Sequence, residues 1–182
     1  LVATSLGLST RLNALFADIP DRNFIVEPVP RNTLPCIAVA ARKVLDADPD
    51  GIVVVLPSDH FVADRKAFLD VIESAVYHAN RGRIVTLGVT PTHPETGYGY
   101  IRFGEFEAEQ EGPDARHRAR HIQAFVEKPD HATALSYLKA GRYLWNSGIF
   151  VFRADVILDK VREHQPTVAT NAEAIARLGN GA

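Results

Sequence analysis

The sequence predicts an α/β domain built on a mostly parallel sheet. Ile52-Val53-Val54-Val55-Leu56 is an unbroken run of apolar, largely β-branched residues, the composition of a strand covered on both faces. Strand-like and helix-like stretches alternate four times before Pro91, the order that right-handed crossovers convert into parallel strands. With 46% hydrophobic and 23% charged residues, the 182-residue chain has an ordinary globular composition and length enough for one substantial core. It is read as a single domain over residues 1–182.

Leu1 to Thr4 suits a short strand, and Leu8, Leu12, Leu15, Phe16 and Ile19 then recur at helical spacing, with Ser5 or Ser9 as a cap. Phe24-Ile25-Val26 is a second strand. Two prolines keep Glu27 to Thr33 irregular, and a helix begins near Asn32 or Thr33, with Pro35 in its first turn and Ile37, Ala40, Ala41, Val44 and Leu45 on its inner face. Pro57 ends the central apolar run. Asp64 is placed to cap a helix that buries Phe68, Val71, Ile72, Ala75, Val76 and Ala79, and Ile84 to Val89 is another buried strand.

The pattern changes at Pro91. Tyr98 to Phe103 alternates and contains glycine, which reads as an exposed or edge strand near a ligand. Glu105 to Arg120 is a charged loop, read as a solvated hairpin connection. His121 to Val126 is a strand, Asp130 caps a helix through Leu138 that Gly141 stops, Gly148 to Phe152 is a strand, and Ala154 to His164 is helical until Pro166 breaks it.

The net charge of −2 leaves no basic footprint, so nucleic acid is not an expected partner, whereas a nucleotide is compatible. One cysteine, Cys36, excludes an internal disulfide framework and fits a reducing, cytoplasmic setting; it is read as packing. No apolar run is long enough to span a membrane. The ends read as cut: the chain opens on Leu1, contains no methionine and trails off at Gly179-Asn180-Gly181, so a fragment truncated at both ends is expected.

Three segments place charge or amides at strand ends, where open α/β sheets bind ligands. Asp59, just past Pro57, is either an oxygen ligand for a hard cation or the cap of the following turn. In Glu127-Lys128-Pro129 neighbouring side chains should point to opposite faces, leaving the carboxylate for sugar hydroxyls and the ammonium for phosphate. In Trp145-Asn146-Ser147-Gly148, Asn146 either serves a sugar or holds the turn. His117 and His121, four apart in the charged loop, are read as surface.

Five motifs fall in one order: Glu27-Pro28-Val29-Pro30-Arg31-Asn32-Thr33, Leu56-Pro57-Ser58-Asp59-His60, Pro94-Glu95-Thr96-Gly97-Tyr98-Gly99-Tyr100-Ile101, Phe125-Val126-Glu127-Lys128-Pro129 and Trp145-Asn146-Ser147-Gly148. From about Val2 to about Arg162 the chain resembles the sugar-1-phosphate nucleotidylyltransferase family, and within it the mannose-1-phosphate guanylyltransferases. The resemblance implies a Rossmann-like nucleotidyltransferase domain with a small β excursion near Tyr98 to Val126. It also implies a Mg²⁺-dependent reaction of GTP with mannose 1-phosphate to give GDP-mannose and pyrophosphate, without a protein nucleophile. Carried over by motif, Glu27, Arg31, Asn32 and Thr33 face the guanine. Asp59 holds Mg²⁺, Gly99, Glu127 and Asn146 contact mannose, and Lys128 meets its phosphate.

The chain departs from the family pattern in two places. Gly7-Leu8-Ser9-Thr10-Arg11-Leu12 is too poor in glycine, and too helical in pattern, to be the family's phosphate loop, and the first lysine is Lys43. That loop, the first strand and a later metal-binding aspartate are therefore expected to be missing, and the fragment to be inactive. The alternatives are a non-catalytic nucleotide- or sugar-phosphate-binding regulatory module and a dinucleotide oxidoreductase. The latter is disfavoured because no Gly-x-Gly-x-x-Gly turn occurs. Homo-oligomerisation is left open.

Overall fold

The computed structural model describes residues 1–29, 32–106 and 117–178. Backbone contacts divide the chain into two units, one formed by Leu1–Val53 with Arg153–Ala182 and the other by Val54–Phe152.

In the first unit, β1 (Val2–Ser5) pairs in parallel with β2 (Phe24–Glu27), Val2 opposite Phe24 and Ser5 opposite Glu27. Between them run α1 (Leu6–Leu15) and a 3₁₀ turn at Asp21–Asn23. Helix α1 passes straight through Gly7 to Leu12, so that stretch is not a phosphate loop. It buries none of its residues, and Leu6, Leu8 and Leu15 are exposed despite their helical spacing. Helix α2 (Thr33–Ala47) starts where expected, with Asn32 at the cap position. It buries Ala38 and Val39 against Ile25, Val161, Ala169 and Ala172, and Ala41 against Ala154 and Leu158. Those partners, Ile25 apart, come from α5 (Ala154–His164) and α6 (Pro166–Leu178). Pro166 ends the first of these helices as expected but also opens the second, because proline in the first turn lacks only an N–H that has no helical partner anyway.

The second unit is organised on the strand β7 (Tyr143–Arg153). The sheet order is β3 (Ile52–Val55), β7, β5 (Tyr100–Phe106), β6 (Arg120–Val126), with β4 (Val85–Val89) also on β7. The pairings β4–β7, β5–β7 and β5–β6 are all antiparallel, which corrects the expectation of a mostly parallel sheet. The physical reason is that β7 returns through the sheet against the direction of β4 and β5, so neighbours in space are not neighbours in sequence. Strand β5 is interior rather than an edge: it bonds to β6 and β7, and Tyr100 and Ile101 are buried. Strand β3 is half-buried, not sealed on both faces. The Trp145 to Gly148 segment lies inside β7 rather than ahead of a strand.

Helix α3 (Arg65–Ala79) is capped by Asp64, whose carboxylate accepts from the Ala67 N–H at 2.9 Å. Its buried residues are Ala75, His78 and Ala79, whereas Val71 is exposed. His117 is buried, stacked on Tyr77, and its carbonyl lies 2.9 Å from His78 Nε2, so it is not the surface residue its charged surroundings suggested. His121 is exposed as expected; residues 107–116 of the charged segment lie outside the described residues. Helix α4 (His131–Ala140) is capped by Asp130 and closed by Gly141 at φ 63°. Among the described residues no helix is long and apolar enough to cross a membrane.

Candidate functional site

A long open groove of about 1490 Å³ runs over the second unit. Asp59, Gly99, Glu127 and Asn146, drawn from four of the five motifs, all line it. The groove exceeds the ~300–1,000 Å³ typical of a single small-ligand site, so it has room for more than one hexose phosphate.

Asp59 lies in the turn after β3, its side chain 87% exposed, with His60 Nε2 4.0 Å from Oδ1. The cap of the following helix is Asp64, as expected, and Asp59 itself stands in a turn. A hard, open carboxylate oxygen fits Mg²⁺, which commonly takes one or two carboxylates and completes its shell with waters and phosphates. Among the described residues no group of three His, Cys, Asp or Glu is gathered for a metal, so a ligand set supplied by this chain alone would be small.

Asn146 sits where β7 bulges. The partner pairs Thr86–Phe150 and Gly88–Asn146 span two residues of β4 but four of β7, so Ser147 to Ile149 are thrown out of the ladder. Gly148 makes this possible with φ 73°, a conformation that costs glycine little. Side chains tie the bulge: Ser147 Oγ donates to the Leu87 carbonyl at 2.7 Å, and Thr86 Oγ1 lies 3.0 Å from the Ile149 carbonyl. The Asn146 backbone N–H donates to the Gly99 carbonyl at 2.7 Å, joining two walls of the groove.

Gly99 is a close approach as well. A Cβ there would stand 2.9 Å from Glu127 Oε2 and 3.2 Å from the Phe125 ring. Its loop is held by Glu95, whose Oε1 accepts from the Gly97 N–H at 2.7 Å and whose Oε2 lies 3.4 Å from His93 Nε2. The Gly97 bond, with His93 adding to it, holds the Glu95 carboxyl below the usual carboxylate range. The Tyr100 hydroxyl donates to the Glu95 carbonyl at 2.8 Å, and the His93 and Tyr98 rings meet Trp145 edge-on.

Glu127 and Lys128 correct an expectation. Strand alternation would point them apart, yet Lys128 Nζ lies 3.5 Å from Glu127 Oε1. Strand β6 stops at Val126, and Lys128 has φ 42°, so that alternation no longer applies. Lys128 does not itself line the groove, but its ammonium is carried at the rim by Glu127.

In the other unit, Glu27 ends β2, Asn32 is the α2 cap residue without using its side chain for the cap bond, and Thr33 is exposed in the first turn. Arg31 lies outside the described residues. Burial pushes the Cys36 thiol up, and Glu27 adds to it, as suits a packing residue.

Sequence reading missed Thr86 and His93, and gave no role to Ser147 or Glu95 within their motifs. A hydroxyl inside the apolar run Ile84 to Val89 was the available signal for Thr86, since a buried hydroxyl needs a partner.

The sequence and fold have counterparts in known proteins. Residues 4–181 match the model of the nucleotidyl transferase family. The xanthan biosynthesis protein XanB of Xanthomonas campestris pv. campestris (strain B100) is 46% identical over 145 residues, covering 80% of this chain and 29% of that protein. A mannose-1-phosphate guanylyltransferase of Escherichia coli (strain K12) is 42% identical over 153 residues, covering 83% of this chain and 31% of that one. A crystal structure from Thermus thermophilus, described as mannose-1-phosphate geranyltransferase, superposes with a TM-score of 0.81 at 30% identity, covering 99% of this chain and 49% of that one. The chain thus spans about 30% of the length of these curated relatives. On fold and sequence alike, the chain belongs to the nucleotidyl transferase family.

Proposed function

We propose that this chain serves guanylyl transfer from GTP to mannose 1-phosphate, with GDP-mannose and pyrophosphate as products. The observation that carries the reading is the meeting of Asp59, Gly99, Glu127 and Asn146 on one groove, from motifs spread between residues 59 and 146. Relatives named mannose-1-phosphate guanylyltransferase support the choice of substrates.

An oxygen of the sugar phosphate forms a bond to the nucleotide α-phosphorus while the bond to the bridging oxygen breaks, and pyrophosphate departs with that electron pair. No protein atom needs to be attacked, so the chain's work is positioning and charge neutralisation. Glu127 accepts from sugar hydroxyls, Asn146 adds an amide contact, and the bare Gly99 Cα lets the Glu127 carboxylate sit against the backbone beside the sugar. Lys128 supplies positive charge to the sugar phosphate, and Glu27, Arg31, Asn32 and Thr33 serve the guanine. Asp59 would hold Mg²⁺, which supplies charge neutralisation between the phosphates. The single free cysteine fits a cytoplasmic setting.

Incubation with GTP, Mg²⁺ and mannose 1-phosphate, followed by pyrophosphate, tests the reading. Release on the order of 1–10³ s⁻¹ makes the 182-residue chain sufficient for catalysis. Calorimetric binding of both substrates without release makes it a binding module. Binding of neither overturns the proposal.

A further inference from the structure

The polarity of Asn146 is fixed from behind the groove wall. Its Oδ1 lies 3.2 Å from the Gly148 backbone nitrogen. A peptide N–H is an obligate donor, so the side-chain atom it meets is the oxygen, and this settles which way the carboxamide faces. The same oxygen lies 3.1 Å from Thr86 Oγ1. With Oδ1 accepting from the Gly148 N–H and facing the Thr86 hydroxyl, the Nδ2 amino group is the end of the side chain left to serve the groove.

Thr86 holds this arrangement together from the facing strand. Its single hydroxyl proton is shared between Asn146 Oδ1 at 3.1 Å and the Ile149 carbonyl at 3.0 Å. The first of these acceptors borders the bulge and the second is on its last residue. One hydroxyl thereby braces both the carboxamide that the Gly148 N–H has oriented and the Ile149 carbonyl. Thr86 is opposite Phe150 in register, at the point where the β4–β7 ladder slips.

We propose that Thr86 is a positioning residue that holds Asn146 in place as a hydrogen-bond donor to the bound ligand. The inference rests on the sugar-phosphate reading and sharpens it. Gly99 links the two recognition groups: its carbonyl accepts from the Asn146 N–H at 2.7 Å, and its Cα faces Glu127 Oε2. The wall therefore offers a donor beside a carboxylate that only accepts. The matching ligand is a polyol with one hydroxyl used as an acceptor and another used as a donor, which a hexose phosphate supplies. A ligand whose hydroxyl proton at Glu127 is replaced by methyl is rejected there.

The test compares wild type with Thr86→Val, which keeps the shape and loses the hydroxyl, and Thr86→Ser, which keeps the hydroxyl. In calorimetric titration with mannose 1-phosphate, Thr86→Val is expected to weaken binding roughly fivefold, one neutral hydrogen bond's worth, and Thr86→Ser to stay within about twofold. In an Asn146→Ala background, Thr86→Val should cost nothing further, because a residue that acts through another is not additive with it. The Asn146 side-chain amide resonances of the ligand-free protein should shift or broaden in Thr86→Val and remain sharp in Thr86→Ser. Additive losses, unchanged resonances in Thr86→Val, or a Thr86→Ser variant as weak as Thr86→Val overturn the proposal. If Thr86→Val does not fold, Thr86→Ala against Thr86→Ser carries the same comparison. If wild type binds no sugar phosphate, the functional reading fails, while the resonances still decide the role of Thr86.

Discussion

Lys128 is the only non-glycine residue with positive φ among those described, and it immediately follows the carboxylate on the groove wall. A side chain in that region costs about 1–2 kcal/mol, which glycine avoids while losing ~0.5–1 kcal/mol to greater freedom in the unfolded chain. Lys128→Gly should therefore raise stability by ~0.5–1 kcal/mol, read as a higher urea midpoint. It should also weaken mannose 1-phosphate by about ten- to a hundredfold, the worth of a charge-assisted hydrogen bond. A less stable variant, or one that binds as tightly as wild type, would show that neither strain nor charge is placed here for the ligand. Glu95 gives a second test at the same scale. Its pKa is lowered by the Gly97 N–H and His93, so its contribution is fully present above its ordinary value of 4.5 and is lost as pH falls through the lower folded value. Trp145, the only tryptophan of the chain, stands 4.9 Å from the His93 ring. Its emission should change in acid as the Glu95 carboxylate takes up its proton, and Glu95→Gln should abolish that transition.

At the scale of elements, local chemistry was legible and partner choice was not. The caps Asp64 and Asp130, the stop at Gly141 and the span Ala154 to His164 were all readable, because each depends on residues within one turn. Asp64→Ala should cost ~1 kcal/mol in thermal or urea unfolding, since it orphans the Ala67 N–H. A loss below a few tenths would mean that water replaces the cap. Strand direction escaped the sequence because an apolar run such as Ile52 to Leu56 states only that it is covered, not by which neighbour or in which sense. Strand β7, about ninety residues further on, is that neighbour, and the Thr86 and Asn146 side chains at its bulge meet across 60 residues. The same limit hid the burial of His117, whose charged sequence neighbours say nothing of the Tyr77 ring stacked on it. The motifs located Asp59, Gly99, Glu127 and Asn146, but the hydroxyl that braces one of them lay in an anonymous strand.

For the molecule as a whole, the groove assembles its chemistry from segments that contribute one group each, and Asp59 is the group with the least structural work to do. Its side chain is 87% exposed, its near neighbour His60 lies at 4.0 Å, and the following helix is capped by another residue. Asp59→Asn should therefore leave the unfolding transition within about 0.5 kcal/mol of wild type, as for surface substitutions generally. The function should respond very differently. An amide keeps the size of the side chain but loses the charge that would hold Mg²⁺ against two phosphate groups. Mg²⁺-dependent binding of GTP, followed by calorimetry with and without a chelator, should be strong in wild type and lose most of its metal dependence in Asp59→Asn. Where pyrophosphate release is measurable it should fall by at least about a hundredfold, the scale on which a single electrostatic contact acts in a transition state. A variant that unfolds, or one that keeps both its metal dependence and its turnover, would return Asp59 to the role of a turn residue.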